Sequence, residues 1–120
     1  LGMQLLADFS EEGDVKCLGI IPGRVKKFSS KLLKIPQIGW NRVEFTGENP
    51  LLSNIASGSY FYFVNSFYFE APEQSILGTT KYTLPFASII QKGNFYATQF
   101  HPEKSGVPGL QLLRNFCEQC

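Results

Sequence analysis

The stretch that decides the fold is Tyr60–Phe69, which reads YFYFVNSFYF. Apolar or aromatic side chains fill both alternating sets of positions, a pattern typical of a β-strand that is covered on both faces. Sheets covered in this way belong to layered proteins in which helices pack against strands, so we predict an α/β fold. We also expect the chain on its own to be poorly soluble, because a strand without its cover leaves an apolar face or edge open.

The sequence on either side of this strand predicts a first helix, several strands and a last helix. Apolar spacing favours helices over Leu1–Phe9 and Gly109–Cys117. The last helix would present one apolar face made of Leu110, Leu113, Phe116 and Cys117. The elements between the helices are an exposed basic connection or ribbon over Val25–Ile35, a turn into a short helix at Asn49–Leu52, a strand over Ile76–Thr80, and a β-hairpin of Phe86–Gln91 and Phe95–Phe100 around Lys92-Gly93-Asn94.

The composition excludes several classes of protein. The 120 residues carry 11 Lys+Arg against 10 Asp+Glu, so no charge excess favours nucleic acid or an anionic membrane as partner. Eleven Phe and five Tyr exclude a disordered chain. No apolar run approaches the roughly 18 residues of a membrane span. Three Cys argue against a secreted disulfide scaffold and fit a reducing cytosol.

The segment His101-Pro102-Glu103 is the strongest candidate for chemistry. In an extended chain His101 and Glu103 would point to the same side, and Pro102 would stiffen the segment between them. A carboxylate beside an imidazole selects its tautomer and stabilises the imidazolium that forms when the ring takes a proton. The pattern therefore indicates the base half of a nucleophile–base–carboxylate triad. A surface His with an unrelated Glu neighbour is the alternative.

A triad needs a nucleophile, and none of the three cysteines is well placed to be one. Cys17 lacks the small residue two positions before it and the helix after it that a nucleophile elbow requires, so we expect a buried apolar role. Cys117 and Cys120 form a CxxC at the end of a helix, where the dipole disfavours a thiolate. No second pair completes a zinc site. We therefore expect the nucleophile to precede Leu1.

Several blocks of the sequence resemble class I (triad) glutamine amidotransferases. Leu1–Leu6, LGMQLL, resembles the tail of that family's G-x-C-L-G-M-Q-L-L elbow, and His101-Pro102-Glu103 resembles its H-P-E. Within the family, four ordered blocks are similar to those of the glutaminase subunits of imidazole glycerol phosphate synthases. They are Pro22–Val25 (PGRV), Pro36–Asn41 (PQIGWN), Tyr62–Tyr68 (YFVNSFY) and Gln99–Ser105 (QFHPEKS).

This resemblance implies a glutamine-hydrolysing reaction. A Cys before Leu1 would attack the side-chain amide of L-glutamine, His101 would carry the proton to the departing ammonia, and Glu103 would orient His101. Gln4 would help to hold the glutamine. The backbone groups of Ser66 and Phe67 would meet its α-amino acid end.

The resemblance also implies a partner. Ammonia would pass to a cyclase subunit, a TIM barrel, in a heterodimer that makes imidazole glycerol phosphate for histidine biosynthesis. Trp40, Asn41, Tyr62 and Lys104 would lie on or near the docking face. An exposed Trp suits an interface anchor, although a half-buried core Trp is the plainer alternative.

The family fold implies that residues 1–120 are the C-terminal portion of a three-layer, flavodoxin-like amidotransferase domain with a mixed sheet. The nucleophile elbow would be missing, so we expect the 120-residue chain to have no glutaminase activity by itself. The resemblance implies a cytoplasmic protein with no cofactor and no metal.

Two positions depart from the family pattern. Gln37 and Asn65 stand where His is frequent, and both keep a hydrogen-bonding side chain without a titratable group. These two departures leave open a second assignment, to a sister branch of the family that supplies ammonia for the amidation of surface-polysaccharide sugars. The sequence also leaves open a non-catalytic interaction module, and an unrelated β-rich domain with an aromatic core.

Overall fold

The structure, a computed structural model, describes residue 3 and residues 9–10, 15–29, 33 and 35–119. Nine strands and one helix occur in these ranges. They are β1 Phe9–Ser10, β2 Val15–Lys16, β3 Arg24–Lys27, β4 Gln37–Phe45, β5 Ser59–Asn65, β6 Phe67–Glu70, β7 Ile76–Tyr82, β8 Leu84–Lys92, β9 Phe95–Thr98 and α1 Gly106–Gln119. Short 3-10 turns lie at Pro50–Leu52, Glu73–Ser75 and Pro102–Lys104.

The strands form two sheets. One has the order β2-β1-β3-β6 and is mixed, because β1 and β3 run parallel whereas β3 and β6 run antiparallel. The other is antiparallel, with the order β5-β4-β7-β8-β9. The predicted α/β fold with a mixed sheet is therefore confirmed.

The stretch Tyr60–Phe69 is two strands, not the single strand that its sequence suggests. The chain leaves the five-stranded sheet after Asn65, turns at Ser66 and enters the other sheet at Phe67. The prediction of burial on both faces is also wrong for the first of these strands. Every second residue of β5 is buried, and the side chains between them are exposed or half-buried. Aromatic residues occupy both faces, which hides the alternation from sequence analysis.

The strand that is covered on both faces is β8. Five consecutive residues, Phe86–Ile90, are buried. Phe86 and Ile89 belong to the larger apolar core, whereas Ala87 and Ile90 belong to a second core. The predicted hairpin of β8 and β9 is confirmed, and Gly93 takes a positive φ of 58° in its tight turn.

Helix α1 turns a face to the core other than the predicted one. Its buried residues are Gly109, Leu112 and Asn115. The predicted apolar stripe of Leu110, Leu113, Phe116 and Cys117 is exposed. The reason lies in the loops below the helix. A Cβ at Gly109 would overlap the carbonyl oxygen of Pro102, and Asn115 Nδ2 donates to two loop carbonyls, at 2.9 Å and 2.6 Å.

Of the remaining local predictions, two are confirmed and one is wrong. The predicted strand over Ile76–Thr80 is confirmed as β7. The short helix after Asn49 is confirmed as a 3-10 turn, with Asn49 Oδ1 accepting a hydrogen bond from the backbone N–H of Leu51 at 3.0 Å. The segment after Pro22-Gly23 is not an exposed connection, because Val25 in β3 and Phe28 are buried in the two cores.

The first predicted helix, over Leu1–Phe9, lies outside the described residues except at its third and last positions. Met3 is buried in the smaller core, and Phe9 belongs to β1 and not to a helix. Within the described ranges, no helix is long and apolar enough to cross a membrane.

Candidate active site

The residue before His101 anchors the candidate site in the core. Phe100 is buried, and its ring centroid lies 4.2 Å from that of Phe61 and 5.6 Å from that of Phe63. Both partners point from β5 into the larger core. Aromatic pairs at these distances contribute packing beyond simple burial. His101 therefore follows a fixed aromatic cluster and starts a short loop at the end of β9.

The backbone of Tyr62 holds this loop against β5. The N–H of His101 donates to the carbonyl oxygen of Tyr62 at 2.9 Å. In the other direction, the N–H of Tyr62 donates to Ser105 Oγ at 2.9 Å, and that hydroxyl donates to the carbonyl oxygen of His101 at 2.6 Å. Ser105 is fully buried. The loop is therefore tied at both of its ends to one residue of β5.

Within the loop, His101 and Glu103 lie side by side. His101 Nδ1 is 3.0 Å from Glu103 Oε1, and the two side chains are 44% and 54% exposed. The sequence analysis assumed an extended loop, but Pro102–Lys104 forms a 3-10 turn. The turn brings the side chains together by a different route. A carboxylate at Nδ1 selects the tautomer with hydrogen on that nitrogen, which leaves Nε2 available to take a proton.

The helix behind the loop explains two glycines of the segment. Gly106 has a positive φ of 62° at the first position of α1, a conformation that glycine adopts without strain. Gly109 lets the helix approach the Pro102 carbonyl closely. These glycines and Ser105 support the loop, and sequence reasoning did not single them out. Ser105 stood inside the block QFHPEKS, so its position was the available signal.

The two predicted substrate-binding residues Ser66 and Phe67 lie at the corner between β5 and β6. The carbonyl oxygen of Ser66 accepts a hydrogen bond from the N–H of Phe28 at 2.9 Å. Ser66 is four residues beyond Tyr62, which is roughly 13 Å along an extended strand. The corner and the His101 loop are thus two fixed points along one strand. The third predicted residue, Gln4, lies outside the described residues.

The outward face of the β4–β5 hairpin carries an exposed apolar surface, which we call the hairpin surface. Its members are Ile38, Trp40, Tyr60 and Val64, which are exposed, and Tyr62, which is half-buried. The register pairs Ile38 with Val64 and Trp40 with Tyr62. The Trp40 side chain is 57% exposed, so it is not a core residue. Its ring meets that of Tyr62 edge to face, with centroids 5.9 Å apart.

The structure does not bring all four predicted docking residues onto this surface. Trp40 and Tyr62 share it, and Lys104 is exposed on the loop that Tyr62 holds. Asn41 is half-buried and occupies the alternate set of positions on β4, which faces the other way. Its side chain donates to Gln37 Oε1 at 2.7 Å and to the carbonyl oxygen of Lys81 at 3.0 Å.

The cysteines of the described ranges are free thiols. Cys17 is half-buried, not buried as expected, and Cys117 is exposed. Cys120 lies outside the described residues, so its CxxC arrangement is not described. Among the described residues, no three His, Cys, Asp or Glu side chains lie close enough together to hold a metal ion.

Comparison with known proteins identifies the class. The family described as "Glutamine amidotransferase class-I" matches residues 1–120. The chain therefore belongs to the class I glutamine amidotransferase family.

Curated relatives show which members of this family the chain resembles. The chain is 46% identical to the "Imidazole glycerol phosphate synthase subunit HisH" of Pasteurella multocida, over 98% of the chain and 59% of the relative. It is 46% identical to the subunit of the same name from Nitrosomonas europaea, over 97% and 59%. It is 49% identical to that of Methanocaldococcus jannaschii, over 98% and 60%. The chain thus spans about three-fifths of the length of these relatives.

Proposed function

We propose that this chain is part of a glutaminase subunit that releases ammonia from L-glutamine through a Cys-His-Glu triad. The single observation that carries the proposal is the contact of His101 Nδ1 with Glu103 Oε1 at 3.0 Å. Membership of the class I glutamine amidotransferase family supports the reaction class. The relatives named above support the assignment to imidazole glycerol phosphate synthesis.

In the proposed reaction, the two residues supply the base half of the triad. A Cys thiolate, which we place before the position of Leu1, attacks the amide carbon of the glutamine side chain. The imidazolium of His101 then gives its Nε2 proton to the leaving nitrogen, and ammonia departs as a glutamyl thioester forms. Water attacks the thioester with His101 as the base, which yields glutamate and restores the thiolate. Glu103 holds Nδ1–H throughout, so Nε2 remains the reacting nitrogen.

The corner between β5 and β6 is the proposed site for the other end of the substrate. Backbone groups of Ser66 and Phe67 would meet the α-amino acid end of glutamine, and Gln4 would help to hold it. The corner is fixed by its contact with Phe28, and the His101 loop is fixed by Tyr62 on the same strand. This rigid spacing supports binding at one point and reaction at the other.

The hairpin surface is the proposed docking face for a cyclase TIM barrel in a heterodimer. Its exposed Trp and Tyr side chains are the residue types that anchor protein interfaces. Lys104 lies beside Glu103 on the loop that Tyr62 holds, so we place it at the margin of this face. Because the Asn41 amide is engaged inside the sheet, we assign it a supporting role beneath the face.

The proposed subunit acts in the cytoplasm, in histidine biosynthesis. The 120-residue chain alone does not hydrolyse glutamine, because the nucleophile is supplied by a longer subunit. In a comparable acyl-transfer enzyme the loss of one oxyanion donor lowers the rate about 10²–10³-fold, so the loss of the nucleophile has at least as large an effect.

The experiment compares the 120-residue chain with the full-length subunit that contains it. Each is mixed separately with a cyclase barrel of histidine biosynthesis and with the cyclase-like partner of polysaccharide amidation. Ammonia and glutamate are measured together with complex formation. We expect both glutamine hydrolysis and a stoichiometric complex from the full-length subunit, and no hydrolysis from the 120-residue chain.

Different results would assign different functions. A complex without hydrolysis would indicate an interaction module. Hydrolysis together with binding only to the cyclase-like partner of polysaccharide amidation would assign the sister branch. Hydrolysis by the 120-residue chain alone would contradict the proposed position of the nucleophile.

A further inference from the structure

A row of amide side chains leads from the middle of β4 to the corner between β5 and β6. Gln37 and Asn65 are register partners on the two strands, and both are buried. Gln37 Nε2 donates to Asn65 Oδ1 at 2.9 Å. A buried amide must find partners for its polar atoms, so a paired arrangement is more stable than either amide alone.

The neighbouring contacts fix the orientation of both amides. Asn41 Nδ2 donates to Gln37 Oε1, which leaves Gln37 Nε2 to face Asn65. The Asn65 oxygen is then occupied, so its nitrogen must face the other way. Asn65 Nδ2 donates to the carbonyl oxygen of Phe67 at 3.1 Å. The hydrogen bonds therefore run in one direction, from Asn41 to the backbone of the corner.

The last of these bonds spans the point at which the chain changes sheets. Asn65 is the final residue of β5, and Phe67 is the first residue of β6. A side chain that bonds to a backbone group two residues away stabilises a tight turn, as in other local Asn motifs. The same corner is also held from outside, since the N–H of Phe28 donates to the carbonyl oxygen of Ser66 and Phe67 pairs with Lys27 of β3.

We propose that Gln37 and Asn65 are positioning residues for glutamine. The pair holds the Ser66–Phe67 backbone in the geometry that receives the α-amino acid end of the substrate. This inference rests on the proposed function. The pair bonds to the backbone of the corner and not to His101 or Glu103, so we expect it to act on substrate binding and to leave the chemistry at His101 largely unchanged.

The test measures glutaminase kinetics of the full-length subunit in complex with its cyclase partner. Gln37→Met removes the donor to Asn65 with little change in size. Asn65→Asp keeps the acceptor for Gln37 and places a carboxylate oxygen against the carbonyl of Phe67. We expect KM for glutamine to rise roughly tenfold in each, the change that corresponds to one lost buried hydrogen bond, and kcat to change less than about threefold.

A matched control comes from another buried pair in the same sheet. Thr80 Oγ1 donates to Ser88 Oγ at 2.9 Å, and both residues are buried between β7 and β8. Thr80→Val removes that bond, and we expect it to lower the melting temperature without changing KM. If the two test variants raise KM no more than Thr80→Val does, or lower kcat with KM unchanged, the pair is structural only and the inference is wrong.

Two further outcomes keep the test decisive. If Gln37→Met does not give a folded complex, Asn65→Asp carries the comparison, because it preserves size and one of the two hydrogen bonds. If the wild-type complex does not hydrolyse glutamine, the proposed function has failed and the inference falls with it. Normal wild-type activity with unchanged KM in both variants overturns the positioning role alone.

Discussion

Successive side chains of the β4–β5 hairpin point to opposite faces of the sheet, and the two faces make very different contacts. The inward face of β5 places Phe61 and Phe63 in the core and holds Asn65 against Gln37. The outward face leaves Trp40 and Tyr60 exposed and Tyr62 half-buried. Both faces are rich in aromatic residues. Aromatic content therefore does not distinguish a core-forming face from a solvent-exposed one, whereas register and burial do.

We expect the largest difference between the two faces in how substitutions at neighbouring residues of β5 change the free energy of unfolding. Phe63 is fully buried and packs edge to face on Phe86 and Phe100, whereas Val64 beside it is exposed. We expect Phe63→Ala to lower the free energy of unfolding of the full-length subunit by about 3–5 kcal/mol. Val64→Ala should change it by less than about 0.5 kcal/mol. Urea unfolding of both variants is the measurement, and equal losses would contradict the assignment of faces.

The next effect concerns partner binding through the outward face. We expect Trp40→Ala to raise the Kd for the cyclase barrel roughly 30-fold, which corresponds to about 2 kcal/mol at an interface anchor. Its unfolding free energy should stay close to that of the wild type, because the side chain is largely exposed. Phe95→Ala is the matched control, since Phe95 is an aromatic residue of β9 that is 50% exposed. Calorimetric titration that finds the same Kd for both variants would remove the hairpin surface from the interface.

A smaller effect is expected at the contact that links the hairpin to the His101 loop. Ser105→Ala leaves the N–H of Tyr62 and the carbonyl of His101 without the partner they now share. We expect a loss of roughly 1–2 kcal/mol in unfolding free energy, within the range for buried unsatisfied groups, together with a fall in glutaminase kcat. Ser59→Ala removes a more exposed hydroxyl bond, to the carbonyl of Ala56, at the other end of β5. If Ser59→Ala lowers kcat as much, the loop contact has no special role.

The smallest effect is expected from an ion pair on the outward face. Arg42 Nη2 lies 2.9 Å from Glu44 Oε1, and the two side chains are 57% and 54% exposed. Exposed pairs of this kind contribute little, so Arg42→Ala should change the unfolding free energy by less than about 0.5 kcal/mol. Thermal or urea unfolding at low and high salt checks this. A loss above about 1.5 kcal/mol would mean that the outward face takes part in stability after all.

Sequence reasoning predicted the parts of the fold that depend on local chemistry. The β8–β9 hairpin followed from Gly93 between apolar runs, and the 3-10 turn followed from Asn49-Pro50. The proximity of His101 and Glu103 was also predicted, although from an extended segment, whereas a 3-10 turn brings the two side chains together. The catalytic and substrate roles of these residues and of Ser66 and Phe67 stay predictions.

The features that the sequence did not reveal depend on long-range contacts. The break at Ser66 was missed because aromatic residues flank Val64-Asn65-Ser66 on both sides, and because it arises where two strands join different sheets. The buried face of α1 was mispredicted because its contacts need a small residue at Gly109 and an amide at Asn115, and neither is apolar enough to mark a core face. The role of Ser105 depends on Tyr62, a residue 43 positions away.

The central claim is that His101, oriented by Glu103, is the base of a glutaminase. Its most direct test is the rate of glutamine hydrolysis by the full-length subunit in its complex, measured for the wild type, His101→Ala and Glu103→Gln. General base catalysis and tautomer selection predict falls of about 10³-fold or more for His101→Ala and of at least about tenfold for Glu103→Gln, with complex formation unchanged. Hydrolysis at the wild-type rate by the folded His101→Ala complex would show that His101 is not the base.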